Sequence, residues 1–364
     1  MRILYAFPEE LPLSKARGLQ SCATVSALGK QNTIWFAAPF KKDPFSFYQF
    51  SKSPGVRLVN ISRKIGLFKS TILWALKLRL LIAKIKPHII FLRHFKLAYY
   101  LLKWSIKPLV FEVHEILQDK HSARENLRNQ EDFLYQKVSG LVFISQGLRS
   151  RAQEIYKFKK PYKIIPSGTF LCKKCANKKL EGEVEDIYYV GTAHYSWKGI
   201  DTLLEALRKT NFYLHIVGPF ISKEIPVFLQ DRIKIYGWQS PKKIYDLLYA
   251  AQIGVLPNTG STLISRFYTS PMKLLDYMAT KTAVVAADLP SVRELVSEKE
   301  VLFFEPDNPS SLAEALKRLS QNPSLREELA SNAYRKAKYF TWDQRADRLS
   351  RFFEEILHED KIIN

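Results

Sequence analysis

Short runs that are apolar at nearly every position, each followed by a helical stretch, set the tightest limit on how this chain can fold. Ala283–Ala287 is the clearest of them. A strand with no polar face must be covered on both sides, as in a parallel sheet between layers of helix. In the first half, strands are expected at Arg2–Phe7, Thr33–Ala38, Arg57–Ile61, His88–Leu92, Leu109–Val113 and Gly140–Ile144, with helices at Ala16–Lys30, Leu67–Lys84 and Asn126–Ser139. Lys163–Pro166 closes that half. Pro166 to Asp186 has weak periodicity and reads as a boundary. A second series follows, with strands at Asp186–Val190, Tyr213–Val217, Ile233–Tyr236, Ile253–Leu256, Ala283–Ala287 and Val301–Phe304. Its helices are expected at Gly199–Lys209, Pro241–Ala250, Pro271–Thr280, Leu289–Ser297 and Pro309–Gln321, and Ser324–Lys338 and Trp342–Leu357 close the chain. With 364 residues and 46% hydrophobics, the chain can fill two cores. The expected class is α/β, with domains at 1–166 and 167–341 and a last helix at 342–364.

The formal net charge is +21, unevenly spread. From Pro44 to Phe111 there is no Asp or Glu, while Lys52, Arg57, Arg63, Lys77, Arg79, Lys84, Lys86, Arg93, Lys96, Lys103 and Lys107 are among its cations. A helix within it combines a broad apolar face with a basic rim, the composition of a helix lying on an anionic membrane. A core helix with a solvated basic edge is the alternative. No nucleic-acid partner is expected, because no zinc finger, aromatic RNA-binding motif or basic zipper is present. No apolar run reaches the length of a spanning helix. The opening residues read as a strand and not as a signal peptide. Cys22, Cys172 and Cys175 are sparse, which fits a reducing cytoplasm, and the Cys172/Cys175 pair is expected to be two incidental thiols in a loop.

The chemistry concentrates between Arg266 and Arg293. A polar loop, Tyr268-Thr269-Ser270-Pro271, precedes a helix with Met272, Leu275 and Met278 on its apolar side. Lys273 and Asp276 are three apart and lie near one face. A loop, a helix N-terminus and a cation together suit an anion such as phosphate. One turn deeper, Asp276 can accept hydrogen bonds from a ribose or sugar hydroxyl. Upstream, Gly191 allows a sharp turn after a strand, and Lys198-Gly199 opens a helix, where Lys198 could place its charge on a diphosphate. If the carboxyl ends of the strands form the site, they bring His114, Ser145, Gly191, Gly218, Asp276 and Asp288 to it.

The D-Y-M-A and AVVAADLPSVREL segments, with V-G-T…K-G-I-D from Val190 to Asp201, resemble the nucleotide-sugar site of family 4 retaining glycosyltransferases of the GT-B fold. The resemblance implies two Rossmann-like domains facing a cleft, with the last helix crossing back to the first domain. It implies sugar transfer from a nucleotide-diphosphate sugar with retention, and catalytic roles for His114, Lys198, Lys273 and Asp276. His114 would orient the sugar or hold the acceptor. The donor would also meet Gly191, Thr192, Gly237, Trp238, Arg266, Tyr268, Thr269, Ser270, Pro271 and Met272. Arg17 and Gly18 stand where the family has a glycine-rich loop. Tyr268 stands where the family has its first acidic residue, and Thr192 where many members have Arg. No metal or other cofactor is expected, since cations and amides would hold the diphosphate. The acceptor is expected to be lipid-linked or otherwise anionic, in polysaccharide or lipopolysaccharide assembly at the inner face of the cell membrane. A non-catalytic nucleotide-sugar-binding subunit is the rival. An oxidoreductase would need a G-x-G-x-x-G turn, which neither half provides.

Overall fold

In the computed structural model, which describes residues 1–65, 68–120, 125–220 and 225–363, the chain divides into two units. The first is Met1–Pro166 with Trp342–Asn364, and the second is Ser167–Thr341.

The first unit contains β1 (Arg2–Ala6), β2 (Thr33–Ala38), β3 (Val56–Asn60), the two-residue pair β4 (Lys64–Ile65) and β5 (Phe68–Lys69), then β6 (Ile89–Leu92), β7 (Leu109–Val113), β8 (Gly140–Phe143) and β9 (Tyr162–Ile164). Seven of these form a parallel sheet in the order β3-β2-β1-β6-β7-β8-β9. The second unit contains β10 (Asp186–Val190), β11 (Tyr213–Val217), β12 (Ile233–Ile235), β13 (Ile253–Leu256), β14 (Ala283–Ala287) and β15 (Leu302–Phe304). These form a parallel sheet in the order β12-β11-β10-β13-β14-β15. Both sheets are α/β and Rossmann-like, with the strand order reversing between β1 and β6 and between β10 and β13. That reversal is where open sheets bind ligands, outside the carboxyl ends of the strands. β6, β7, β8, β13 and β14 are buried at every position, as the apolar runs require.

The helix Trp342–Ile363 belongs to the first unit. Leu349, Phe352, Phe353 and Ile356 are buried, and the Phe353 ring meets Phe91 at 5.2 Å. Gly140 leaves room for this helix, because a Cβ there would lie 2.7 Å from Ile356 Cδ1. Arg345, 2% exposed, fixes its start. Its guanidinium donates to the carbonyls of Ile165 and Pro166 at 2.9 Å each, to Thr24 Oγ1 at 3.3 Å, and to the buried Glu112 carboxylate.

Several boundaries differ from those read in the sequence. The helix expected over Leu67–Lys84 runs Thr71–Ile85, with Ser70 capping it by accepting the Leu73 amide, and β4 and β5 lie before it. Residue 67 lies outside the described residues. The helix expected at Leu289–Ser297 is the short Pro290–Arg293. Helices at Phe95–Lys103 and Gln146–Tyr156 were not expected, and Ser145, expected at a site, is the cap of the second. Cys172 and Cys175 are joined in a disulfide and are not two loose thiols; three residues apart on a 3-10 turn, their Cα atoms are 5.4 Å from each other. Cys22 is the free, buried one.

The Arg345–Glu112 tie generates a stability prediction. Arg345→Met leaves a buried carboxylate without its cation and should destabilise the first unit by about 3–5 kcal/mol. Adding Glu112→Leu should recover most of that. Urea unfolding of the three proteins checks this, and an unchanged midpoint in Arg345→Met would remove the tie from the account.

Candidate functional site

The helix Met272–Ala279 is placed by Tyr277. Gly254 in β13 has no side chain, and a Cβ there would lie 2.7 Å from the Tyr277 ring. The ring fills that space. Its hydroxyl accepts the Val190 amide at 2.9 Å and donates to the Tyr188 carbonyl at 3.0 Å. β10 and β13 pair only over Ile187–Tyr188, so Tyr277 closes the gap where they diverge. One helical turn earlier, Lys273 is thereby carried to the end of β10.

Lys273 is 7% exposed, and its Nζ has no hydrogen-bond partner among the described residues. It lies 3.7 Å from the centroid of the Tyr189 ring. Gly191 lies beside it, its φ of +125° favouring glycine, and a Cβ there would make ordinary contact with Nζ at 3.6 Å. Gly218, at the end of β11, packs against the carbonyl of Gly191, 2.2 Å from where a Cβ would be. The amine is enclosed beside these two strand ends. Burial, with the nearby charge of Lys198, pushes the Lys273 pKa well down.

Lys198 ends the 3-10 turn Ser196–Lys198. Gly199 follows at φ +67°, where a Cβ would lie 1.7 Å from the Pro257 carbonyl oxygen, so the turn is pinned to the end of β13. The Thr259 amide donates to the Trp197 carbonyl at 3.2 Å and holds it there. Lys198 Nζ lies 3.7 Å from the Trp197 ring centroid, and burial lowers its pKa to about 7. Neither lysine has a carboxylate partner among the described residues. Each rests on an aromatic face, a contact of about 0.5–2 kcal/mol. An oxyanion shared by both would compensate their lost hydration and their mutual repulsion.

Asp276 faces a different set of groups. Its Oδ1 accepts hydrogen bonds from Thr169 Oγ1 and Tyr245 Oη, both at 2.8 Å. Its other oxygen has no partner among the described residues. Burial outweighs these hydrogen bonds and raises its pKa to about 6.

The remaining expected residues divide. Ser270 Oγ accepts the Ser167 amide at 2.9 Å, and Thr269 Oγ1 lies 3.4 Å from the Ser265 carbonyl. Pro271 is the N-cap of the lysine-bearing helix, whose first residue is Met272. Thr192 offers its carbonyl to Tyr189 Oη at 3.0 Å. Gly237 has φ +65° and open space beside it, next to half-buried Trp238. Arg266 is exposed over the Phe267 ring, and Tyr268 is buried, 4% exposed, at the end of a π-helical turn. Asp288 is paired with Arg293 at 2.6 Å. In the first unit, a Cβ at Gly18 would lie 2.3 Å from Tyr48 Oη, which gives the glycine a packing role. Arg17 is not a free cation, because Glu9 holds it in a two-pronged ion pair.

In the first unit, His114 follows β7, with Nε2 3.3 Å from Glu112 Oε2. Burial, reinforced by the charge of Arg93, lowers its pKa to about 4, so its ring is neutral at pH 7. Glu112, Arg93, Tyr245, Thr169 and Tyr277 were not expected as site residues. Their partners are far away in sequence, and only the D-Y-M-A motif pointed to one of them.

The unpaired Lys273 carries a stability cost that can be measured. Lys273→Met should raise the unfolding free energy by about 1–3 kcal/mol at pH 7. The lysine pKa is lower folded than unfolded, so wild-type stability rises with pH above the folded value, and the gap should narrow towards pH 10. A destabilised Lys273→Met protein would contradict the unpaired reading.

Residues 184–322 match the family model described as glycosyl transferases group 1. The alpha-D-kanosaminyltransferase of Streptomyces kanamyceticus is 29% identical over 270 residues, covering 70% of this chain and 64% of that protein. The phosphatidyl-myo-inositol mannosyltransferase of Mycobacterium tuberculosis is 24% identical over 208 residues, covering 53% of each. The chain therefore aligns to only about half to two thirds of these relatives' lengths. Among solved structures, Anabaena Alr3699/HepE in complex with UDP and glucose superposes with a TM-score of 0.74 at 17% identity, covering 98% of this chain and all of that one, which speaks to the fold. The second unit thus matches the group 1 glycosyl transferase model over residues 184–322, and the pair of Rossmann-like sheets has the GT-B fold of these structures.

Proposed function

We propose that this protein transfers a sugar from a nucleotide-diphosphate sugar to a hydroxyl of a lipid-linked or cell-surface glycan acceptor, with retention of anomeric configuration. The observation that carries the reading is the pair Lys198, half-buried, and Lys273, buried, near each other and without a carboxylate partner among the described residues. When the glycosidic bond to the diphosphate breaks, negative charge grows on the β-phosphate. The two lysines, protonated as the diphosphate binds, and the first amides of the helix Met272–Ala279 would stabilise it there. This arrangement does the work of a divalent metal, so the reaction is proposed to need none. Asp276 keeps one oxygen for a donor hydroxyl, and neutral His114 serves the sugar or acceptor. The acceptor hydroxyl attacks from the face the diphosphate leaves. The relatives named above as a kanosaminyl- and a mannosyltransferase, and the UDP bound by the Anabaena protein, support this class of donor.

The burial of Tyr268, where the family has an acid, favours a second reading: a subunit that binds nucleotide sugars without turnover. One assay separates the two. The protein is incubated with UDP-, GDP- and TDP-sugars, with and without membrane lipid extract, and released nucleotide is measured. Lipid-stimulated release is expected from one donor, reduced about 10²–10³-fold in Lys198→Ala and unchanged by EDTA. Tight binding with no release from any donor favours the second reading.

The helix Thr71–Ile85 supports action at the inner face of the membrane. It buries Trp74, Ala75 and Leu78 on one side. Opposite them it exposes Ile72, Leu73, Leu76 and Leu80, the last 74% exposed. At 100° per residue, Arg79 borders one edge of this stripe and Lys77 and Lys84 the other. Two copies of this face would oppose like charges, whereas an anionic bilayer matches both the stripe and its rim. No described helix is long and apolar enough to cross a membrane, so contact would be peripheral. Sedimentation with vesicles should show binding that requires phosphatidylglycerol and is lost in Leu76→Glu/Leu80→Glu. Equal binding to neutral vesicles, or none to either, would refute this placement.

A further inference from the structure

The first unit holds a charge imbalance that the proposed donor chemistry does not use. Arg93 follows β6, beside the point where the strand order reverses between β1 and β6. It is partly exposed, and among the described residues its hydrogen bond runs from Nη1 to the neutral Gln20 Oε1 at 2.5 Å. The carboxylates around it are committed. Glu112 lies on the neighbouring strand, where Leu92 pairs with Phe111. It gives Oε1 to Arg345 and turns Oε2 to His114. Glu9 is held by Arg17. Tyr5 Oη is engaged with Ser21 at 3.0 Å. Two guanidiniums therefore share the surroundings of one buried carboxylate, and Arg345 has taken it. Partial burial lowers the Arg93 pKa, and the attraction of Glu112, already paired with Arg345, only partly offsets it.

We propose that Arg93, at the switch point of the first sheet, binds an oxyanion, phosphate or carboxylate, carried by the acceptor. A guanidinium presents a planar fork that matches either group with two parallel hydrogen bonds. The site lies in the first unit and is separate from Lys198 and Lys273 in the second. The word acceptor rests on the transferase reading, while the anion site itself does not.

The test uses the whole protein with 15N-labelled histidine, with UDP present to occupy the lysine pair. His114 is the reporter, identified by the signal lost in His114→Gln. Inorganic phosphate and glucuronate are titrated separately at constant ionic strength. A saturable shift of the His114 signal is expected in at least one arm. Phosphate alone points to a phosphate-bearing acceptor, and glucuronate alone to a uronic acid. Arg93→Gln should weaken the response about tenfold or more. Arg93→Lys, which keeps the charge but not the fork, should give an intermediate affinity and carries the comparison if the Gln variant fails to fold. No saturable shift in either arm, or full affinity in both variants, overturns the proposal. Nucleotide release is measured independently, so failure here leaves the transferase reading standing, and the converse holds.

Discussion

Tyr277 holds the second unit in its working form. β10 and β13 separate after two paired residues, and an open seam between parallel strands would strand the Val190 amide and the Tyr188 carbonyl. The phenol supplies both partners, and its ring lies where Gly254 has no side chain. Everything placed by the helix Met272–Ala279 follows from that contact. Lys273 reaches the end of β10, and Asp276 turns to Thr169 and Tyr245. The Gly191–Gly218 contact and the Gly199–Pro257 contact then fix the opposing edges. Any Cβ at Gly199 would break the turn that carries Lys198.

The two units deal with buried charge in opposite ways. Around Glu112 the first unit collects cations and leaves one of them, Arg93, without a carboxylate. In the second unit, Lys198 and Lys273 have no acid at all among the described residues and lean on aromatic rings. Such arrangements cost stability and are kept where a ligand supplies the missing charge. In the second unit that ligand is read as a diphosphate, whose charge rises as the sugar leaves. Under the proposed function, this asymmetry between the free and the reacting state would let the lysine pair accelerate the step.

Much of this was legible in the sequence, because fully apolar runs such as Ala283–Ala287 cannot sit in a half-exposed sheet. Lys198 and Lys273 were legible through local signals, a glycine turn and a helix start. Helices Phe95–Lys103 and Gln146–Tyr156 were not read: the first is short, although Leu97, Ala98, Leu101 and Leu102 recur at helical spacing, and the second is mostly polar. Their caps, His94 and Ser145, are the signals that were available. The packing of Gly18 was not legible because its neighbour, Tyr48, comes from another helix. The Arg345–Glu112 pair spans 233 residues, and no local pattern announces it. Contacts made by chain reversal over that distance are written in space and not in spacing.

The central claim is that two uncompensated lysines form the diphosphate site. Calorimetry at pH 8 tests it directly, using the best-binding nucleotide sugar in two buffers of different ionisation enthalpy. Lys198, at about 7 in the free protein, is largely neutral at pH 8 and must regain its proton when the diphosphate arrives. The sugar-capped diphosphate has no group of its own titrating there. The account predicts proton uptake on binding, an affinity that falls as pH rises above 7, and a smaller uptake in Lys198→Ala. Binding without proton uptake, or with the same uptake in the variant, would contradict it.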